Sequence, residues 1–449
     1  MSKQRIQLSD HFTYSRLLRF VLPCIGTMLF TSIYGIVDGL CVSNFVGKTA
    51  FAAVNLIMPL PMLLGTIGFM LGTGGSAIVG ITLGEGDQKK ADRYFTLFLL
   101  AALVSVSVLA VLGIVFLRPI AVLLGAKGEL LDYAVRYGRI LMVSLPTFAL
   151  QNMFQSFFVT AEKPHLGFWF TVGAGCTNMV LDVLMVGIWG WGVEGAAIAT
   201  FISQLVGGVL PVFYFIDRSN SSRLHLCKTS FYSKVLRDAC INGSSVLMTN
   251  LSMSLVNILY NYQLLRLAGE NGVAAYGVIM YAAFLFVAVF VGYAVGSAPI
   301  VSFHYGARNH AEVHNLYRKS LRLIAVVAVT LTLASMFIIP CVARIFVGYD
   351  AELLALTSRA FRLYALSFLI MGFNVYASSF FTALGDGVTS ALISFLRTLA
   401  FQVIAILLLP LLLGIDGIWL AVTAAELAAL AVSAAMLLTK DKVFHYRKV

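Results

Sequence analysis

Between Arg93 and Arg118 the chain runs for 24 residues without one charged side chain, and most of them are apolar. As a helix that stretch is about 36 Å long at ~1.5 Å per residue, enough to cross the ~30 Å hydrocarbon core of a bilayer. The pattern recurs along the sequence. Apolar runs set between charged or Gly/Pro breaks fall at approximately 17–46, 51–82, 93–117, 130–159, 166–188, 193–216, 234–265, 273–303, 316–340, 352–383, 389–412 and 416–438. With 60% hydrophobic residues, 11% charged and a mean hydropathy of +0.91, the chain holds more apolar surface than a water-soluble core can hide. The expected fold class is all-α: a polytopic membrane protein of twelve transmembrane helices. Pro23, Pro59, Pro61, Pro146 and Pro299 are the expected helix bends, because each removes a backbone hydrogen bond.

An even number of spans puts both termini on one side. The N-terminus, the loops after spans 2, 4, 6, 8 and 10, and the C-terminus carry 21 of the 31 Lys and Arg residues, the opposite loops carry 9, and Arg397 lies inside a span. Positive charge stays in the cytoplasm, so both termini are expected there. The net charge of +11 then sets topology and does not form a nucleic-acid face. The six cysteines have no ligand or disulfide spacing, and the seven histidines fall at or near loops, where they are expected to be solvated. This argues against a membrane-embedded enzyme. The first sixteen residues are polar and the first apolar run is long, so no cleavable signal peptide is expected.

The two halves repeat. Gly75-Ser76-Ala77 recurs as Gly296-Ser297-Ala298, Arg136-x-x-Arg139 as Arg359-x-x-Arg362, Ser156-Phe157-Phe158 as Ser379-Phe380-Phe381, and Gly192-Val193-Glu194-Gly195 as Gly414-Ile415-Asp416-Gly417, at offsets of 221–223 residues. Six spans per half give both halves one orientation, hence parallel repeats about an axis along the membrane normal. The expected domains are an N-terminal lobe over 1–216, a polar cytoplasmic linker over 217–233 and a C-terminal lobe over 234–449. Two six-helix bundles facing each other across a cavity suit alternating access.

Seventeen of the twenty acids lie in loops or at span ends; Asp38, Asp182 and Glu426 are deep. A carboxylate at mid-membrane costs ~2.5–3.5 kcal/mol on insertion scales. Counted along their helices, Asp38 in span 1, Asp182 in span 5 and Thr200 in span 6 stand roughly 9–12 Å below the outer surface. Asn178 is one turn from Asp182 and Tyr34 one turn from Asp38. Two carboxylates close together in low dielectric resist ionising together, so such a pair suits a proton or a small hard cation. Glu426 and Arg397 both fall near the midplane in adjacent spans 12 and 11, as a buried ion pair or as the lining of a substrate cavity.

These residues resemble a family. Pro23 followed by Asp38 in Tyr34-Gly-Ile-Val-Asp-Gly, then Val42-Ser-Asn-Phe-Val-Gly, is similar to the first helix of MATE (multidrug and toxic compound extrusion) transporters. Asn178-Met-Val-Leu-Asp182 through Gly195-Ala-Ala-Ile-Ala-Thr200 resembles the family's spans 5 and 6, and the likeness, to the MepA-like bacterial branch, extends over the whole chain. The resemblance implies two six-helix lobes, no enzyme activity, and export coupled to inward H+ or Na+, with no other cofactor. It implies cation binding by Asp38, Asn178, Asp182 and Thr200, joined by Asn152 or Gln155 of span 4. Some relatives carry acids in spans 7 and 10; here those spans offer Asn242, Asn374 and Tyr376 but no acid, which argues against a C-terminal-lobe ion site. The expected partners are a small organic, lipophilic and cationic substrate and the bilayer, with no nucleic acid and the chain acting as a monomer. The alternative is a flippase or exporter of a lipid-linked or other endogenous metabolite, which calls for cationic side chains in the cavity; Arg397 is the one deep cation.

Overall fold

The computed structural model describes residues 6–46, 48–348 and 350–447, and these are helical almost throughout. In chain order the helices are α1 (Tyr14–Phe45), α2 (Lys48–Ile57), α3 (Pro59–Gly84), α4 (Gln88–Leu123), α5 (Glu129–Thr160), α6 (Pro164–Leu181), α7 (Gly192–Gln204), α8 (Leu210–Ile216), α9 (Ser233–Gly306), α10 (His310–Val347), α11 (Ala351–Ala365), α12 (Phe368–Ala383), α13 (Gly387–Phe395), α14 (Phe401–Leu413) and α15 (Ile415–Thr439). π-helical turns extend α6 (Asp182–Ile188) and join α7 to α8 (Leu205–Val209) and α13 to α14 (Leu396–Ala400).

Twelve crossings result. Spans 7 and 8 are the two helical halves of α9, which meet at a kink at Gly269, whose φ of 60° and ψ of −150° are open only to glycine at no steric cost. Span 10 is α11 and α12, bent by 45° at their junction. α5 is less apolar than its neighbours because Ser144, Gln151, Asn152 and Ser156 are buried along it. Of the prolines expected to bend helices, Pro59 does mark a break, between α2 and α3, while α1 continues through Pro23, where the Thr27 hydroxyl donates to the Pro23 carbonyl at 2.9 Å. The other interruptions fall at Gly269, at the α11–α12 junction and at the π-turns, places that a search for proline overlooks.

Several acids outside the deep set have local work. Asp87, Asp350 and Asp386 cap α4, α11 and α13 by accepting from backbone N–H groups of the first turn, as Asn309 does for α10. The caps share the repeat: Asp87 and Asn309 hold equivalent places in the two halves. The other repeated motifs also acquire reasons. Arg136 pairs with Glu194 at 3.7 Å, and its counterpart Arg359 pairs with Asp416. Phe157 packs on Phe95 with ring centroids 4.8 Å apart, and its counterpart Phe380 packs on Tyr317 at 5.5 Å.

Glycine decides how the lobes meet. Gly74 of α3 lies backbone to backbone against Ala239 and Gly243 in the first half of α9; reciprocally, Gly292 and Gly296 in the second half of α9 lie against Ile25 and Cys24 of α1. On the axis, α3 and the end of α9 touch through Gly80, Gly84 and Gly306. All these contacts lie toward the end of the molecule that holds the termini, so the lobes are sealed there. A strap over residues 6–13 reinforces the seal. Glu162 of the N-terminal lobe accepts from the Leu8 N–H at 2.8 Å, and Glu312 of the C-terminal lobe accepts from the Phe12 N–H at 2.8 Å and contacts the His11 ring at 2.6 Å. Phe12 covers His304, which is buried and not solvated as its place near a loop suggested.

Candidate functional site

α1, α6 and α7 pack together in the N-terminal lobe. Gly175 of α6 has no side chain, and the rings of Phe30 and Tyr34 of α1 occupy the space; a Cβ at Gly175 would stand 3.3 Å from Cδ1 of Tyr34. Asn178 follows one turn later and Asp182 one turn after that, both buried on the same side of the helix. Asp182 opens the π-turn Asp182–Ile188. Such a turn adds a residue to the helix and re-aims the side chains around it, and it is frequent at functional sites. From α7, Thr200 comes within 3.5 Å of the Asn178 amide nitrogen, and its carbonyl accepts from Ser203 at 2.8 Å.

The structure thus lines Tyr34, Asn178 and Thr200 along one stretch of α6, Tyr34 at Gly175 and Thr200 at Asn178, with the fully buried carboxyl of Asp182 one turn beyond Asn178. Asp38 lies on α1 one turn beyond Tyr34; its side chain is outside the described residues. The set suits a proton held on a carboxyl or a small cation held by oxygen atoms.

The span 4 candidates stand elsewhere. Gln155 lines a small void with Cys24, Thr27, Pro164 and Gly167, at the opposite end of α6 from Asp182. Gly167 and Asp182 are fifteen residues apart, roughly 22 Å of helix rise. Asn152 is buried one turn earlier on α5, and its amide nitrogen has no hydrogen-bond partner among the described residues. Counting along the helices gives the same separation: Gln155 stands five residues before the end of α5 at Thr160, whereas Asp182 stands eighteen residues after the start of α6 at Pro164.

In the C-terminal lobe, Glu426 of α15 is fully buried and accepts from Nε of Arg397 through both carboxylate oxygens, at 2.8 and 3.0 Å. Asn374 of α12 adds two bonds, from its amide nitrogen to the Glu426 carboxylate at 2.8 Å and to the Glu426 carbonyl at 2.9 Å, while its oxygen accepts from Ser433 at 2.9 Å. Arg397 sits on the π-turn Leu396–Ala400. The geometry is that of an internal tie among α12, the α13–α14 span and α15. Asn374 is the member that a search restricted to acids passes over; an amide in the middle of an apolar run was the available signal.

One family model, MatE, matches residues 23–184 and again residues 246–408, one copy in each lobe and at the offset of the internal repeat. The chain is 21% identical over 436 residues to the Multidrug export protein MepA of Staphylococcus saprophyticus, covering 96% of this chain and 95% of that one. It is 22% identical over 433 residues to the protein of the same name from Staphylococcus aureus, again covering 96% and 95%. Among solved structures it is similar to an outward-facing conformation of a multidrug resistance MATE family transporter of the MOP superfamily, with TM-score 0.92, 22% identity and 99% of both chains covered. A doubled family match reaching into both lobes, on a fold of twelve membrane-crossing helices, makes this chain a member of the MatE family of membrane transporters, not an enzyme.

Proposed function

We propose that this chain is a secondary antiporter that exports organic, lipophilic and cationic compounds in exchange for inward H+ or Na+, with both termini in the cytoplasm. The observation that supports the coupling is the buried carboxyl of Asp182, set at a π-turn one helical turn beyond Asn178 and its neighbour Thr200. The MepA relatives, whose name describes multidrug export, support small organic molecules as cargo. The count of basic residues, 21 against 9, supports the orientation. In that orientation the seal between the lobes is cytoplasmic, and the ion site is within reach of the exterior.

Outside, an ion enters at Asp182 and its neighbours, favouring release of substrate and return to the inward-open form; inside, substrate binding expels the ion, since coupling between two ligands is reciprocal. One charge crossing 100 mV is worth ~2.3 kcal/mol. Exchange of one H+ for a monovalent cation is therefore electrically silent and draws only on the pH gradient, at ~1.4 kcal/mol per unit.

A lipid-linked flippase needs a cation free for its headgroup, and the deep Arg397 is engaged by Glu426. The decisive experiment is uptake of a panel of dye cations into proteoliposomes with pH and sodium gradients imposed separately. Concentrative transport that follows one gradient supports the proposal; transport indifferent to both ends it.

A further inference from the structure

α1 and α6 both start at the end of the molecule that holds the termini and run in the same direction, and along their first turns lies a lateral groove of about 1440 Å³. Its lining is graded. Arg16, Arg19, Lys163 and His165 stand at the mouth. Within two turns of Arg16 and Lys163 they give way to Phe20, Leu22 and Pro23 of α1 and to Phe168 and Trp169 of α6. Trp169 is 64% exposed and Leu22 55%, so these side chains face outward, away from the bundle core. Gly26 closes the trough: a Cβ there would lie 3.0 Å from the Phe168 ring, so the two helices touch at this level.

Two carboxylates share the mouth. Glu162 is compensated, since it accepts from Arg223 at 2.6 Å and from the Leu8 N–H at 2.8 Å. Asp10 is exposed in part and accepts from the Gln7 N–H at 3.1 Å. Arg16 donates to the His11 carbonyl at 3.2 Å and Lys163 to the Ser221 hydroxyl at 2.8 Å, both uncharged partners. Three permanent cations and an imidazole thus stand against one uncompensated acid.

Charge at the level where the helices enter the bilayer, continuing into an apolar trough along the hydrocarbon, is the polarity profile of an anionic phospholipid. The geometry points to a site for one anionic glycerophospholipid in the leaflet nearest the termini, its phosphate among Arg16, Arg19 and Lys163 and an acyl chain along Leu22, Phe168 and Trp169. This inference depends on membrane embedding and not on the coupling scheme above.

The test uses the purified full-length protein, delipidated in detergent and titrated with dioleoylphosphatidylglycerol or dioleoylphosphatidylcholine, with retained lipid counted by native mass spectrometry. The wild type should retain the glycerol lipid preferentially. Arg16→Gln/Arg19→Gln/Lys163→Gln should weaken that retention by about fivefold per charge removed and leave the choline lipid unchanged. Lys234→Gln/Arg237→Gln/Arg318→Gln, which alters the same end of the molecule outside the groove, should retain the glycerol lipid as the wild type does. Equal retention by the groove variant, or equal loss in the control variant, overturns the site. Displacement of the lipid by inorganic phosphate would make it a phosphate site and not a lipid site.

Discussion

Gly84 of α3 and Gly306 of α9 occupy equivalent places in the two lobes, and each lies against the other helix so closely that a Cβ would collide with a backbone carbonyl, of Phe303 and Ile81 respectively. Backbone cannot give way as the tip of a side chain can. Gly306→Val should therefore part the seam between the lobes, at an overpacking cost of ~1–3 kcal/mol. Cys24, buried beside Gly296, reports on it. With the other cysteines replaced by serine, maleimide should label Cys24 faster in the valine variant; an unchanged rate would mean the seam tolerates the methyl groups.

Asp182→Asn keeps the shape of a fully buried side chain and removes its ionisation. Ion-driven efflux should fall to the level of empty liposomes, while the protein still elutes as a single species in detergent. Normal efflux by the asparagine variant would place coupling elsewhere.

The Glu426–Arg397 pair should behave as structure. Glu426→Gln leaves Arg397 without its counter-charge, and breaking a buried pair costs ~3–5 kcal/mol. The thermal midpoint in detergent should drop clearly, and Arg397→Met/Glu426→Leu should recover most of the loss. A midpoint that does not move, with transport abolished, would instead make Glu426 part of the substrate path.

Glu312→Ala removes the acceptor shared by the Phe12 N–H, His11 and Asn315. Amides from Leu8 to Phe12 should then exchange with deuterium faster, with little change in α10 beyond its first turn. Unchanged exchange would show the strap is held by its apolar contacts alone.

Outside the membrane spans, burial raises the Asp386 carboxyl, but hydrogen bonds from Lys440 and from the Thr389 hydroxyl and N–H outweigh it and hold the group below the ordinary carboxylate range. A lowered value means the stabilisation is complete above the unfolded value of about 3.9 and is lost as pH falls through the folded one. Thermal midpoints measured downward from pH 6 should decline less steeply for Asp386→Asn than for the wild type.

Much of this was legible in the residues. Apolar run length gave the crossings, and the 221–223 offset gave the repeat, because both follow from local chemistry repeated along the chain. Depth counted along each helix put Thr200 level with Asp182, and the structure sets it beside Asn178, one turn from there. What escaped was the partner of each polar group. Glu312 counts as a loop acid by position yet is 6% exposed under the strap, and Gln155 shares a chemistry with Asn178 but not a level. The small-residue triplets showed that something repeats; only packing showed that the two copies work differently, Gly75 lying against Phe98 of its own lobe and Gly296 against Val21 and Cys24 of the other.

α5 has a consequence for how the chain enters the membrane. A segment that buries Ser144, Gln151, Asn152 and Ser156 gains little by partitioning into lipid alone. Its partner α4, uncharged from Tyr94 to Leu117 and joined to it by a five-residue turn, gains a great deal. Insertion of this crossing is thus a property of the hairpin: the ribosome delivers α4 first, and α5 follows by finding protein, not hydrocarbon, to receive its amides.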